Sequence, residues 1–302
     1  MKRILLIFLS FIVLASSAIC EANEEGISPV EQEILYLINL ARSKPFLMAE
    51  FLGMDVERLR EIAGVWFPVF ERGIPPVVPN NVLREAALGH SDDMLTRLYY
   101  EYNTPEGITP FDRIVERGYS PSFVAEHIGL LVLEKFLPGH DMAQSLFQNL
   151  FIDELTPGRY IGPVIFNPQA KEIGIGLIGA QLNLPGFGEK QVYVITCDFA
   201  ADLQDRRPAI TGVVYEDCNG DGLYTAGEGL GGVTIQVKGA EKLYETTTWG
   251  AGGYVLRPDS GGLYELTATG GELGDRVERR LVPLGKDNVE VDISLPCLQQ
   301  KP

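Results

Sequence analysis

The spacing of apolar residues changes once along this chain, and that change limits the folds that the chain can adopt. Up to about residue 151, apolar side chains recur three and four positions apart, as in Ile34, Leu37 and Ile38, which predicts amphipathic helices. From residue 173 onward they alternate with other residues, as in Ile173–Ile178 and Gln191–Cys197, which predicts strands joined as a hairpin. Helices followed by strands indicate an α+β fold.

The helix starts can be placed from capping residues and periodicity. Ser28 begins a capping box that Glu31 completes, and Thr109 begins a second start of the same kind. Between them, a helix is expected to begin at Asn81. A further helix is expected from about Asp141, where apolar residues again follow helical spacing.

A polar segment, Asp202–Pro208, predicts a boundary between two modules. Beyond it the sequence consists of short β-type runs separated by glycine, which predicts a small antiparallel sandwich. These runs are Ile210–Tyr215, Val233–Val237, Tyr254–Leu256, Tyr264–Ala268 and Val289–Leu295. We therefore expect one module over residues 28–201 and an all-β module over residues 209–298.

The first residues have the features of a secretory signal. Two basic residues precede the apolar run Ile4–Ala15, and the small residues Ser16–Ala18 follow it. The run is shorter than the roughly 20 residues of a spanning helix, so a signal peptide over residues 1–20 is expected, and with it a secreted or cell-envelope location. Cleavage near Ala18 is one expectation, and a lipid anchor on Cys20 is the alternative.

Charge and cysteine content narrow the classes of partner. The formal net charge of −16 repels the phosphates of nucleic acid, so nucleic-acid binding is excluded. Four cysteines are too few for a disulfide scaffold, and their spacing matches no zinc site. A bridge between Cys218 and Cys297 is expected, because both belong to the β module.

Six stretches of the first module together resemble the CAP superfamily (cysteine-rich secretory proteins, antigen 5 and plant pathogenesis-related proteins) in its bacterial form. They are Ile34–Arg42, His90–Met94, Thr109–Ile114 with Gly118 and Tyr119, Ala125–Ile128, Phe166–Pro168 and Glu172–Gly176. Their order and spacing over about 170 residues carry the resemblance. It implies an α-β-α sandwich.

Many members of this family hold two histidines and two acidic residues in a central cavity, a set suited to Zn²⁺. In this chain Tyr102 stands where the first histidine would be, and Gly158–Ile161 contains no counterpart of the second. Glu126 keeps one carboxylate, and His127 follows it directly. The resemblance therefore implies a degenerate cavity with Tyr102, Glu126 and His127 as candidate residues, and Zn²⁺ is not expected there.

The second acidic position and the histidines leave alternatives open. Asp153 or Glu154 could supply the second carboxylate. His90 lies on the apolar face of a helix and is expected to be structural, whereas His127 is expected to diverge from the carboxylate before it, because adjacent side chains tend to diverge. His140 precedes a helix and, with His127, could rebuild a site.

The β module contains a twelve-residue loop with the spacing of an EF-hand calcium site. Its ligand positions are Asp217, Asn219, Asp221, Leu223 (through its carbonyl), Thr225 and Glu228. The flanking strands resemble the calcium-loop B-type repeats of serine–aspartate adhesins, which implies a structural Ca²⁺. An acidic turn without an ion is the alternative.

These observations predict a secreted or cell-envelope binding protein that is not an enzyme, with a degenerate CAP domain, a Ca²⁺-stabilised β module and an unidentified extracellular or envelope ligand. No catalytic residue is assigned, since the chain has no nucleophile motif. One alternative is a hydrolase that uses Glu126 with His127 or His140. Another is a carrier of lipid or sterol, which requires an apolar groove.

Overall fold

The computed structural model describes residues 26–298 except 54, 56, 58–59, 62–63, 65–66 and 155–163. The predicted signal peptide, Cys20 and the segment Gly158–Ile161 lie outside the described residues. Within the described part, no helix combines the length and apolar character needed to span a bilayer.

The first module contains six helices and four strands among its described residues. The helices are α1 Pro29–Ser43, α2 Pro45–Phe51, α3 Phe67–Arg72, α4 Asn81–Arg97, α5 Pro110–Glu116 and α6 Gly139–Glu154. The strands are β1 Val78–Pro79, β2 Pro121–Leu133, β3 Glu172–Leu184 and β4 Gly188–Asp202. The predicted capping boxes at Ser28 and Thr109 are both present.

The four strands form one sheet in the order β1-β3-β4-β2, in which only β1 runs parallel to its neighbour. Alternate residues of β4 point to opposite faces. Ile195 and Phe199 pack with α1 and α6, whereas Val194 packs with Met94 of α4. The module therefore has three layers, helix, sheet and helix, and the α+β prediction is confirmed.

Strand β2 is a thirteen-residue strand that the sequence patterns did not reveal. The polar pair Glu126–His127 interrupts its apolar run and hides the strand signal. β2 lies antiparallel to β4, with Glu126 opposite Asp198 and His127 opposite Cys197. This register places Glu126 on the α4 side of the sheet and His127 on the α1 side.

Two glycines of β3 allow α4 to lie directly on the sheet. A Cβ atom on Gly174 would stand 2.1 Å from the backbone of Leu83, and one on Gly176 would stand 2.2 Å from that of Leu88. Ser91 of α4 confirms the close approach, because its hydroxyl donates to the Gly176 carbonyl at 2.7 Å. The contact brings His90 over the same face of the sheet as Glu126.

The second module is a sandwich of eight strands among its described residues. They are β5 Ile210–Asp217, β6 Thr234–Lys238, β7 Leu243–Thr247, β8 Gly253–Leu256, β9 Gly262–Thr269, β10 Val277–Leu284, β11 Val289–Glu290 and β12 Ile293–Pro296. The sheet β10-β9-β6-β7 is antiparallel as predicted. The other sheet is mixed, because β11 and β12 run parallel to β5, and the purely antiparallel prediction is wrong there.

The β module packs against the first module along α1. Tyr215 of β5 and the neighbouring Tyr224 belong to the hydrophobic core that surrounds this helix. Trp249 donates its indole N–H to the Gln32 side chain at 3.0 Å. Helix α1 is consequently buried between the sheet of one module and the sandwich of the other. Cys218 and Cys297 form the expected disulfide.

Candidate functional site

A buried cluster of charged and polar side chains lies between the sheet and the helices α4 and α5. It consists of Glu126 from β2, Asp198 from β4, His90 from α4 and Arg113 from α5. Arg113 donates through Nη2 to a carboxylate oxygen of Glu126 at 2.5 Å. The His90 Nε2 atom lies 3.9 Å from the other carboxylate oxygen. Three other elements therefore converge on Glu126 of β2.

Glu126 and Asp198 are two buried carboxyl groups on directly opposite positions of β2 and β4. Burial raises the pKa of Asp198 well above its usual range, and the adjacent Glu126 carboxylate raises it further. Burial also raises the pKa of Glu126, but Arg113 lowers it. Glu126 is the carboxylate partner of Arg113, and the raised pKa of Asp198 favours its protonated form. Both oxygens of Asp198 and the second oxygen of Glu126 are buried without a hydrogen-bond partner among the described residues.

His90 is neutral in this environment. Burial lowers its pKa to about 4, and the positive charge of Arg113 lowers it as well. The Nε2 atom lies 3.1 Å from the Glu101 carbonyl, so this nitrogen carries the proton and donates it. The Tyr99 hydroxyl, close to the other ring nitrogen, donates to Asp93 at 2.5 Å. The Nε2 proton of His90 is thus donated to a backbone carbonyl, whereas Nδ1 lies 3.5 Å from the Tyr99 hydroxyl oxygen.

A cavity of about 1010 Å³ opens above this cluster. Tyr102 and Glu126 both line it, so the structure brings these two predicted residues together. Its walls are largely aromatic, aliphatic and proline side chains, including Tyr99, Pro105, Pro110, Phe111, Pro121, Phe123 and Val124. The cavity therefore combines a largely apolar wall with the carboxylate of Glu126, whose partner Arg113 is not among the lining residues.

His127, the third predicted residue, lies on the opposite side of the sheet. Its Nε2 atom is 3.6 Å from Glu154 and 3.8 Å from Asp153, the two residues proposed for the second carboxylate. The alternation of side chains along β2 separates His127 from Glu126. The carboxyl group beside Glu126 is that of Asp198, whereas Asp153 lines a second cavity together with Tyr102.

The hydrolase alternative required Glu126 to meet His127 or His140 in one cavity, and the structure does not bring them together. His140 lies at the start of α6, where its Nδ1 atom is 2.7 Å from a carboxylate oxygen of Glu33 on α1. Among the described residues, the imidazole that faces Glu126 is that of His90. His90 is buried as predicted, but sequence reasoning missed its place in the cluster.

Two further members of the cluster were also missed, although both left a signal in the sequence. Arg113 lies in one of the stretches that carry the CAP resemblance, yet no role was assigned to it. Asp198 is the single charged residue in the apolar run Val192–Ala201, and a charge in such a run indicates a buried ionisable group. Its partner could be recognised only once the register of β2 and β4 was known.

The EF-hand-like loop lies exposed between β5 and β6 and is closed by its own carboxylates. Asp217 accepts hydrogen bonds from the backbone N–H groups of Gly220 and Gly222, at 2.8 and 3.0 Å. Glu228 accepts from Cys218 at 2.9 Å and from Thr225 at 3.0 Å. These bonds hold the two ends of the loop together.

The remaining predicted ligands point into the same loop. Asn219 donates its side-chain amide to Asp221 and to Thr225, both at 2.9 Å. The donor set of carboxylates, amide, hydroxyl and the Leu223 carbonyl fits a hard divalent cation such as Ca²⁺. In this structure these groups bond to one another and to backbone N–H groups, and Ca²⁺ would have to replace some of these bonds.

A second group of candidate metal ligands lies beside the loop. Among the described residues, the acidic, thiol and imidazole groups that gather within 4.8 Å of one another are those of Glu216, Cys218 and Cys297. The two sulfur atoms are joined in the disulfide, so this group offers no thiolate ligand.

The sequence matches no protein-family model, and it matches no curated protein. Among solved structures, an extracellular protein with an SCP domain from Bacillus anthracis str. Ames matches at 18% identity and a TM-score of 0.31, over 43% of this chain and 35% of that one. An outer surface protein from Borrelia burgdorferi matches at 14% identity and a TM-score of 0.28, over 48% of this chain and 89% of that one.

The TIE protein of Bacillus anthracis matches at 10% identity and a TM-score of 0.23, over 89% of this chain and 54% of that one. The chain thus spans about a third of the SCP-domain protein and about half of the TIE protein. With TM-scores this low, the three matches assign the chain to no family.

Proposed function

We propose that this chain is a secreted or cell-envelope binding protein without enzymatic activity, and that its ligand site is the cavity above Glu126. The observation that carries the proposal is the ion pair of Glu126, which lines the cavity, with Arg113 at 2.5 Å. The protonated nitrogen of His90 is directed at the Glu101 carbonyl. A carboxylate held by a guanidinium can anchor a ligand but is poorly placed to accept a proton, and the His90 proton is already donated to a carbonyl.

The extracytoplasmic location is supported by the N-terminal signal pattern and by the disulfide. Bonds such as Cys218–Cys297 form and persist in oxidising compartments and are rare in the cytosol. A charge of −16 is compatible with a soluble extracellular protein and unfavourable for binding to anionic polymers.

The first module is proposed to be a degenerate CAP domain. Three residues from separate stretches of the resemblance, His90, Arg113 and Glu126, meet in the cluster at the floor of the cavity. Tyr102, which stands where family members have a zinc-binding histidine, lines the wall. A phenol in that place removes an imidazole ligand, and this favours an organic ligand over a metal ion in the cavity.

The ligand is proposed to be a small apolar molecule with one polar group, which brings the lipid or sterol carrier forward as the second candidate function. The aromatic and proline walls of the cavity favour an apolar body. The Glu126 carboxylate, which lines the cavity and is held by Arg113, would receive the polar group. An apolar wall of this kind supports the groove that a carrier requires.

A direct test compares two exposed residues one turn apart on α5. Phe111 lines the cavity, whereas Val115 lies outside it, and their exposed fractions are similar at 51% and 43%. We expect Phe111→Gln to weaken the binding of a fluorescent fatty acid or a fluorescent sterol about fivefold, because part of the apolar wall is lost. Val115→Gln should leave the affinity unchanged.

The measurement is a fluorescence titration of each probe against the wild-type protein and the two variants. A probe that binds the wild type and Val115→Gln equally, and Phe111→Gln about fivefold more weakly, identifies the ligand class. Equal affinity for all three proteins would place the ligand outside the cavity. Absence of binding by both probes would remove the carrier candidate.

The β module is proposed to hold one structural Ca²⁺ in the loop from Asp217 to Glu228. The donor set supports the proposal, and the loop also contacts the first module. The backbone N–H of Ala226 donates to Glu33 of α1 at 2.8 Å. The ion would therefore stabilise a loop that already joins the two modules.

A further inference from the structure

Two phenylalanines at one end of the first module are strongly exposed. Phe136 is 68% exposed in the loop between β2 and α6, and Phe187 is 70% exposed in the turn between β3 and β4. Neither belongs to a hydrophobic core cluster of the described residues. Large apolar side chains held at loop tips are typical of surfaces that contact a partner or a membrane.

The two loops lie side by side. Lys190, three residues after Phe187, forms an ion pair of 2.7 Å with Glu134, two residues before Phe136. The turn that carries Phe187 is tight, because its backbone N–H donates to the Leu184 carbonyl at 2.9 Å. The pair of loops therefore presents both aromatic rings at the same end of the sheet.

The local charge fits a neutral lipid surface. The charged residues closest in sequence to the two rings are Glu134, Lys135, Glu189 and Lys190, and their charges cancel. The chain as a whole carries −16. A neutral end of an acidic protein can approach zwitterionic headgroups without repulsion, whereas anionic lipids would repel the rest of the molecule.

We propose that Phe136 and Phe187 form a lipid-contacting tip that inserts into the interfacial region of a zwitterionic bilayer. Aromatic rings are favoured at this depth of a membrane, where an apolar ring is buried beside polar headgroups. The two insertions give weak and reversible binding. They orient the first module on the membrane and leave its cavity open to solvent.

The test measures co-sedimentation with phosphatidylcholine vesicles. The protein used begins at Ala22, which keeps every described residue and carries neither the signal nor a lipid. We expect the wild type to bind and each of Phe136→Ser and Phe187→Ser to lower the partition coefficient about tenfold, because one ring is no longer buried. The double variant should not bind measurably.

The matched control is Leu281→Ser, because Leu281 is 72% exposed on strand β10 of the other module. It should bind as the wild type does. Phe111→Gln should also leave vesicle binding unchanged, so the outcome is separate from that of the cavity experiment. Circular dichroism checks that each variant is folded.

Three results would overturn the proposal. The wild type could fail to bind vesicles, the double variant could bind as well as the wild type, or Leu281→Ser could lose as much binding as the phenylalanine variants. Light scattering distinguishes membrane binding from dimerisation through the same two phenylalanines. A dimer that depends on Phe136 and Phe187, with vesicle binding unaffected by their replacement, would identify a second copy of this chain as the partner.

Discussion

At the scale of single residues, Asp198 places a second buried carboxyl group beside Glu126. Its pKa in the folded state lies well above the value of about 3.9 in an unfolded chain, so the folded state binds the proton more tightly. Its contribution to stability is therefore fully present below about pH 4 and is lost as the pH rises toward the folded pKa. At neutral pH, folding has to keep this carboxyl protonated.

Asp198→Asn should relieve that cost, because an amide donates a hydrogen bond to Glu126 without taking up a proton. We expect the free energy of unfolding at pH 8 to rise by on the order of 1 kcal/mol, with the difference from wild type disappearing near pH 4. Urea denaturation at both pH values measures it. A variant less stable than wild type at pH 8 would show that Asp198 is ionised in the fold.

Glu126→Gln should have the opposite effect. It leaves the Arg113 guanidinium, whose side chain is 11% exposed, without its carboxylate, and an unpaired buried charge costs about 3 kcal/mol. Glu106→Gln is the control, because Glu106 pairs with Arg97 at the surface, where such a pair contributes at most about 1 kcal/mol. Thermal and urea denaturation compare the two. Equal losses would mean that the Glu126–Arg113 pair is solvated.

The candidate residues were predictable from the sequence to the extent that local pattern defines them. Glu126 and Tyr102 could be assigned to one cavity from the motifs around them, and the divergence of His127 follows from its adjacency to Glu126. Asp198 and His90 could not be assigned, because their role depends on the register of β2 with β4 and on the contact of α4 with β3. Both are long-range properties.

At the scale of elements, the calcium-type loop is coupled to the first module. Tyr224, the eighth residue of the loop, is 1% exposed and packs against Tyr36 of α1 and Tyr215 of β5. Any ion that orders the loop therefore also fixes this aromatic contact. Binding of the ion should therefore increase the stability of both modules.

Calcium should raise the melting temperature of the wild type by several degrees, since a ligand at about one hundred times its Kd adds about 2.7 kcal/mol. Asp221→Ala should abolish the shift. Asp275→Ala, an exposed acidic residue outside the loop, should keep it. The measurement is a calcium titration followed by thermal unfolding. A shift that survives in Asp221→Ala would place the ion elsewhere.

Helix starts were predicted well because capping is a local signal, as Ser28 and Thr109 show. Strands were predicted less completely. β2 carries the polar pair Glu126–His127 within its buried part, and β10 is an edge strand with several charged residues. Neither has the simple alternation of a half-buried strand, because function in one case and solvent in the other determines the residues.

At the scale of the whole molecule, acidic residues lie where the β module meets α1. Asn39 of α1 donates to Glu290 at 3.1 Å, and Asp292 accepts from the backbone of Val213 at 3.0 Å. Burial raises the pKa of Glu290 well above its usual range, and the neighbouring Asp292 raises it further. Burial likewise raises the pKa of Asp292 to about 6. The β module therefore docks on α1 most strongly below about pH 4, and this contact weakens as the pH rises through 6.

Glu290→Gln keeps the hydrogen bond from Asn39 and removes the titrating group. We expect α1 amides to exchange with solvent several-fold more slowly than in wild type at pH 8, and at the same rate near pH 4, because α1 is protected by the docked module. Hydrogen exchange monitored by mass spectrometry gives the comparison. Faster exchange in the variant at pH 8 would show that the Glu290 carboxylate stabilises the interface.

The metal content of the purified protein tests whether the cavity of the first module is free of metal and the ion belongs to the β module. We expect one Ca²⁺ per chain at millimolar calcium, its loss in Asp221→Ala, and no stoichiometric Zn²⁺. One Zn²⁺ per chain that disappears in Glu126→Gln or His90→Ala would contradict this expectation. The cavity would then be a metal centre, and an enzymatic function would take precedence.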